Sequence, residues 1–174
     1  MVNESLPTSP DQLLEIFDTI NIGYELHHHE AVFTVEEADK VDSAIKGAAC
    51  RNLFLRDKKK KMYLVTAQNH TQIDLKKLEK RLASARLSFG SPERLFENLG
   101  VRPGSVCPFS VVNDNNQNVR MILEEDMMNQ EIVTYHPLLN TMTVALKPND
   151  LIKFFDHIKH PYEIIDLQCV RPER

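Results

Sequence analysis

Nothing in this chain is spaced to clamp a metal or to build a disulfide frame. Its three cysteines, Cys50, Cys107 and Cys169, are far apart and odd in number, and no C-x-x-C pair occurs. They read as reduced, mostly buried thiols. No apolar run is long enough to span a bilayer. Residues 1–10 are polar and carry no signal-peptide core, so a cytoplasmic protein with no membrane partner is expected. An excess of positive charge is also missing: the formal net charge is -4 over 174 residues. That excludes a general nucleic-acid coat, and any polyanion must be met by a local patch. A Walker loop, a dinucleotide fingerprint and a G-x-S-x-G elbow are all absent, which disfavours nucleotide-driven chemistry and serine hydrolysis. With no internal repeat, low-complexity segment or long linker, residues 1–174 read as a single domain.

What is present is organised around Cys50-Arg51-Asn52-Leu53-Phe54-Leu55-Arg56-Asp57. In a strand, Leu53 and Leu55 point one way and Asn52 and Phe54 the other. So apolar a run wants both faces partly covered, as in a central strand. Asn52 is then an amide facing the interior or a cleft, with donors and an acceptor to satisfy.

Around it the pattern alternates. Ser9-Pro10 starts a helix carrying Leu13, Leu14, Phe17 and Ile20. Residues 24–28 are a short strand candidate. Thr34 and Glu37 form a capping box for a helix to about Val41. Residues 57–61 are a charged turn, and residues 62–67 return as a strand. Asp74 caps a helix through Leu82, and Ser91-Pro92 opens another that Gly100 closes. Residues 109–112 and 119–123 read as a hairpin around a polar loop. Residues 132–135 and 141–146 pair as strands, Asn149 caps a helix over 150–158, and residues 163–167 form a closing strand. The result is α+β, with a mixed, largely antiparallel sheet.

Four stretches could carry chemistry. Alternation puts His27 and His29 on one strand face, but no further ligands are local, so the expected role is a strand end and no metal. Lys58, Lys59, Lys60 and Lys61 sit at a hairpin tip. With Lys76, Lys77, Lys80, Arg81 and Arg86 downstream, they suit phosphate contact without sequence preference, which favours RNA over a merely solvated turn. The loop over residues 100–108 holds Gly100, Gly104, Pro103 and Pro108. It is either a tight connection or a rigid source of backbone N–H donors. His136 stands before Pro137, which restrains it to extended backbone. It is either packed at a sheet edge or a proton shuttle near neutral pH.

Taken in order, Arg51-Asn52-Leu53-Phe54-Leu55-Arg56-Asp57, Asp74-Leu75-Lys76-Lys77-Leu78, Arg86-Leu87-Ser88-Phe89-Gly90, residues 99–109 and Tyr135-His136-Pro137-Leu138 resemble the YbaK/prolyl-tRNA synthetase-associated domain superfamily, in its free-standing editing branch. The resemblance runs from about Leu13 to Leu167. It implies a strongly curved sheet with helices around it and one central cleft. It implies hydrolysis of the ester joining alanine to a wrongly charged proline tRNA, with no cofactor. It assigns catalytic roles to Asn52, Gly104 and His136, and substrate contact to Arg51, Ser105 and Pro108. Arg86 and the lysine tip would meet the acceptor end of the aminoacylated tRNA, and prolyl-tRNA synthetase would be a second partner. The family's usual lysine is replaced by Arg51, which keeps the charge but cannot readily act as a base. The residues offer no convincing nucleophile, base and orienter set, so ester hydrolysis without an acyl-enzyme is expected; the resemblance implies that the free hydroxyl of the terminal adenosine assists. Two other functions remain open on the residues: a tRNA- or synthetase-binding module with weak catalysis, and a sensor of proline or its charged tRNA.

Overall fold

The longest strand, β2 (Ala48–Asp57), carries the sheet. The computed structural model describes residues 5–173, so Met1, Val2, Asn3 and Glu4 of the polar N-terminal segment, and Arg174, lie outside it. In order, the elements are α1 (Pro10–Thr19), β1 (Tyr24–His28), α2 (Val35–Ala44), β2, β3 (Met62–Gln68), α3 (Leu75–Leu82), β4 (Leu87–Phe89), α4 (Pro92–Leu99), a 3-10 helix (Pro108–Asn113), β5 (Val119–Glu124), α5 (Glu125–Met128), β6 (Val133–Tyr135), β7 (Met142–Leu146), α6 (Pro148–Ile158), β8 (Tyr162–Ile165) and a last 3-10 turn (Gln168–Val170). The strand order is β1-β7-β6-β2-β3-β5-β8, with β4 also on β2. Among the described residues four pairings are antiparallel and three parallel, so the α+β sheet is mixed.

β3 covers one side of β2 from Cys50↔Gln68 to Arg56↔Met62. On the other side β6 pairs only at Ala48 and Ala49, and β4 only at Leu55, Arg56 and Asp57. Between them residues 50–54 of β2 have no strand neighbour on that side, and this gap positions the site.

Both faces are covered, as the apolar run of β2 requires. One face packs Phe54, Leu64 and Leu123 under α1, α4 and α6, with Phe17, Phe109, Phe154 and Phe155 fully buried. Phe109 is the hub, edge-on to Phe17 at 5.0 Å, to Phe154 at 5.4 Å and to Tyr135 at 5.7 Å. Each such ring contributes about 1.5–3 kcal/mol by leaving water. The contact with Tyr135 anchors the residue just before His136. The second face packs Leu55, Tyr63, Val65 and Ile122 against Leu78 and Leu82 of α3.

Local signals set most helix starts. Ser9 and Thr34 make capping boxes with Gln12 and Glu37, Asp74 caps α3, and Ser91 caps α4 ahead of Pro92. Gly100 closes α4 at φ +63°, a conformation that favours glycine.

Three expectations are corrected. Residues 109–112 are not a strand. Pro108 occupies the first turn of a 3-10 helix, and its fixed φ suits that position. β5 therefore has no hairpin partner there and runs parallel to β3 and β8. Asp114 launches it, accepting from the backbone N–H groups of Asn118 and Val119. α6 begins at Pro148, so Lys147 holds the cap position and Asn149 lies inside the first turn. The strand at the chain's end is Tyr162–Ile165, ending two residues before Leu167.

Candidate active site

A cavity of about 120 Å³ opens in the gap beside β2, lined by Ala38, Asp42, Cys50, Asn52, Asn69, Thr134, Tyr135, His136 and Thr143. Asn52 and His136, more than eighty residues apart, meet here. The strand alternation places Asn52 with Cys50 and Phe54 on one face. Its register partner is Thr66 of β3, whose hydroxyl donates to Asn52 Oδ1. That bond fixes the amide, and Nδ2 is left without a partner among the described residues. A donor is thus presented to the cavity.

His136 follows β6 at the cavity wall. Its Nδ1 lies 2.8 Å from the carbonyl oxygen of Met142. A carbonyl only accepts, so Nδ1 carries the hydrogen and Nε2 is the acceptor. Burial holds the imidazole below its ordinary pKa, against the opposing pull of the Met142 carbonyl. Near neutral pH the ring is therefore a neutral base. Thr143 Oγ1 lies 3.4 Å from His136 Nδ1 and 2.8 Å from His29 Nε2, while His29 Nδ1 donates to the Glu30 carbonyl at 2.8 Å. The two rings are 5.7 Å apart. Of the histidine run, His29 thus supports the site, His28 is exposed, and His27 Nε2 is buried with no partner among the described residues. Those residues contain no group of three or more His, Cys, Asp or Glu placed to hold a metal ion.

The cavity's one sulfur nucleophile is inert. Burial pushes the Cys50 thiol up to about 12, and its Sγ donates to the Ala48 carbonyl at 3.3 Å. A thiol in that state does not attack an ester.

The other expected site residues fall outside this wall. Arg51 sits on a regular stretch of β2 with no bulge, so its side chain shares the face of Leu53 and Leu55, opposite Asn52. Among the described residues the guanidinium has no hydrogen bond or ion pair, while the Arg51 carbonyl accepts from the Thr66 hydroxyl at 3.4 Å. Gly104 is the third residue of a turn closed by Ser105 N–H donating to the Arg102 carbonyl at 3.0 Å. Pro103 precedes it and its φ is +86°, the arrangement of a type II turn. A Cβ at Gly104 would come 3.8 Å from Asn140 Nδ2, and Asn140 in turn donates to the Val32 carbonyl. The Gly104 turn thus abuts the loop after His136. The Ser105 N–H is committed to the turn and is no free oxyanion donor. Pro108 is buried at the start of the 3-10 helix.

The basic tip lies at the far end of β2, roughly 20 Å from Asn52 at ~3.3 Å per residue. Lys58, Lys59, Lys60 and Lys61 are all exposed. Their turn is shaped from inside: Asp57 Oδ1 accepts from the N–H groups of Lys59 and Lys61, and Oδ2 from Tyr63 Oη and Ala85 N–H. Lys58 N–H donates to the Arg86 carbonyl at 3.1 Å, which joins the tip to Arg86. Lys76, Glu79, Lys80 and Arg86 line a shallow depression beside it.

Sequence reasoning missed Asp42, Thr66, Asn69, Thr134 and Thr143. Thr66 had a signal: pairing from the 57–61 turn sets it opposite Asn52. The others reach the cavity through non-local packing.

This fold is that of an aminoacyl-tRNA editing domain. The family model of that description matches residues 29–154, and the chain belongs to that family. It is 36% identical over 151 residues to the prolyl-tRNA editing protein ProX of Acetoanaerobium sticklandii, covering 86% of this chain and 92% of that protein. It is 31% identical over 151 residues to the prolyl-tRNA synthetase associated domain-containing protein 1 of Danio rerio, covering 86% of this chain and 82% of that one. A solved structure described as a candidate trans-editing enzyme for prolyl tRNA synthetase superposes with a TM-score of 0.70 at 22% identity, over 94% of this chain and 98% of that one. At that identity the likeness speaks to the fold. No helix among the described residues is long and apolar enough to cross a membrane.

Proposed function

We propose that this editing domain is an aminoacyl-tRNA hydrolase that acts in trans on mischarged proline tRNA and removes alanine. It would act as one editing domain over residues 1–174, in the cytoplasm, on the acceptor end of the charged tRNA and beside prolyl-tRNA synthetase, with which the relatives' names associate them. The observation that carries the reading is the meeting of an oriented amide, Asn52, with a neutral imidazole, His136, in one small cavity without an activated nucleophile.

Asn52 Nδ2 donates to the ester carbonyl and stabilises the oxyanion that develops there. His136 Nε2 takes a proton from the attacking water and returns it to the ribose oxygen as the ester C–O bond breaks. The products are free alanine and the terminal ribose hydroxyl. Gly104 shapes the turn that abuts Asn140, in the same segment as Ser105 and Pro108. Arg51, across the strand, and the tip formed by Lys58, Lys59, Lys60, Lys61 and Arg86 hold phosphates.

Size supports alanine as the acyl group. A cavity of about 120 Å³ is roughly four waters' worth at ~30 Å³ each. An alanyl group with its single side-chain carbon fits that space. Proline's rigid ring is larger by two methylenes, and overfilling a packed site is costly. A panel of proline tRNAs charged with alanine, proline, serine and cysteine tests the reading. Release of alanine with proline retained supports it, and release of none of the four removes it.

A further inference from the structure

Asp42 is the only carboxylate among the residues lining the cavity. It comes from α2, whose N-terminal turn is fixed by Thr34 and Glu37. It is half-buried, and its side chain makes no hydrogen bond or ion pair among the described residues.

That sets it apart from the acids the fold buries. Asp57 accepts from three backbone N–H groups and a phenol. Glu124 accepts from Gln68 N–H and the Thr71 hydroxyl. Asp114 is bonded to His160, Asn118 and Val119, and Asp150 is paired with Lys153 at 3.1 Å. A carboxylate drawn partly out of water without a partner is costly, and a fold that satisfies its fully buried acids has left this half-buried one open. Burial raises its pKa, opposed by His136 and His29 and reinforced by Asp39.

The imidazoles nearby do not complete it. His136 is held neutral by burial, with Nδ1 on the Met142 carbonyl, and His29 is occupied by Glu30 and Thr143. Asp39, one turn back on α2, is exposed and of the same sign. No cation among the described residues is bonded to it, which leaves its place open to one carried by the ligand.

An aminoacyl ester supplies one. Its α-nitrogen is separated from the reacting carbonyl carbon by a single carbon. An ester whose carbonyl meets Asn52 and His136 necessarily places that nitrogen within the same small cavity. We propose that Asp42 binds the α-ammonium of the aminoacyl group and restricts the site to esters with a free α-amine. N-acylated aminoacyl, peptidyl and hydroxyacyl esters, which lack the cation, are then disfavoured. Asp42 acts on the fraction of substrate whose amine is protonated, and takes no part in bond breaking. This assignment rests on the reading of the cavity as an ester-hydrolysing site.

The test compares two esters on one proline tRNA, alanyl and N-acetylalanyl, with the wild-type chain and Asp42→Asn. Steady-state hydrolysis gives kcat and KM for each of the four pairs. The wild type is expected to favour the free amine by roughly tenfold to a hundredfold in kcat/KM, the range of a hydrogen bond to a charged group. Asp42→Asn is expected to lose that preference through a higher KM for the alanyl ester, with a clearly smaller change for the N-acetyl ester and an unchanged melting temperature. If the wild type does not distinguish the esters, or Asp42→Asn slows both alike, the ammonium assignment is overturned while ester hydrolysis stands. If the wild type cleaves neither ester, the hydrolase reading falls and the role of Asp42 falls with it.

Discussion

Asn52 and Thr66 face each other across β2 and β3, and the Thr66 hydroxyl donates to Asn52 Oδ1. The bond does more than satisfy a buried hydroxyl. An amide can rotate by half a turn, and this donor decides which end faces the cavity. Thr66→Val keeps the shape and removes the donor. The expected result is a fall of about tenfold in kcat, the worth of one hydrogen bond, with KM little changed. Steady-state deacylation of alanyl-tRNA checks it, and an unchanged kcat shows that the amide is oriented by other means.

Arg51 stands on the opposite face of the same strand. A phosphate held there affects capture and not bond breaking. Arg51→Ala is expected to raise KM several-fold with kcat nearly unchanged, and Arg51→Lys to remain near wild type. A loss confined to kcat would place Arg51 at the reacting ester.

The basic tip predicts salt dependence. Replacing Lys58, Lys59, Lys60 and Lys61 with alanine should weaken tRNA binding. It should also flatten the slope of log Kd against log salt by roughly 0.7–0.9 for each phosphate that is no longer neutralised. Asp57 holds the turn through backbone N–H groups, so the substitutions leave its shape in place. Binding isotherms at several salt concentrations measure the slope, and an unchanged slope reduces the tip to solvated surface.

Asp114 gives a stability prediction. Its side chain and that of His160 are both 2% exposed, 2.9 Å apart. Burial pushes the Asp114 carboxyl up, but the His160 bond and the Val119 and Asn118 N–H groups outweigh it and hold the pKa below the ordinary value. A depressed folded pKa means the carboxylate's contribution is complete above the unfolded value of about 3.9. It is lost as pH falls through the folded value. Chemical denaturation midpoints should therefore drop below about pH 4. Asp114→Ala should cost about 3–5 kcal/mol at neutral pH and lessen that acid sensitivity, because it leaves the buried His160 Nε2 and the Asn118 and Val119 N–H groups without their acceptor.

The helix starts were legible because caps are local: Ser9, Thr34, Asp74 and Ser91 lie within three residues of the N–H groups they satisfy. β2, β3 and β7 were legible from apolar alternation, and regular alternation also put Arg51 opposite Asn52. Phe109-Ser110-Val111-Val112 misled because its composition suits a strand, whereas Pro108 and packing around Phe109 set a 3-10 helix. β4 went unread because its three residues are strand only through pairing with the end of β2. In the site, Asn52 and His136 stood out through their neighbours in sequence. Asp42 and Thr143 did not, since one lies just past the helix expected to end at about Val41 and the other reads as part of an ordinary strand. Only the gap between β6 and β4 brings them to the same cavity.

On the proposed mechanism, Asn52 and His136 together hydrolyse a small aminoacyl ester. The decisive measurement is single-turnover release of amino acid from proline tRNA charged with alanine or with proline, using the wild type, Asn52→Ala and His136→Ala. The wild type is expected to cleave the alanyl ester and spare the prolyl ester. Each substitution is expected to slow alanine release by about a hundredfold or more while the fold still melts cooperatively. Alanine release by both variants within a few-fold of the wild-type rate would contradict that mechanism.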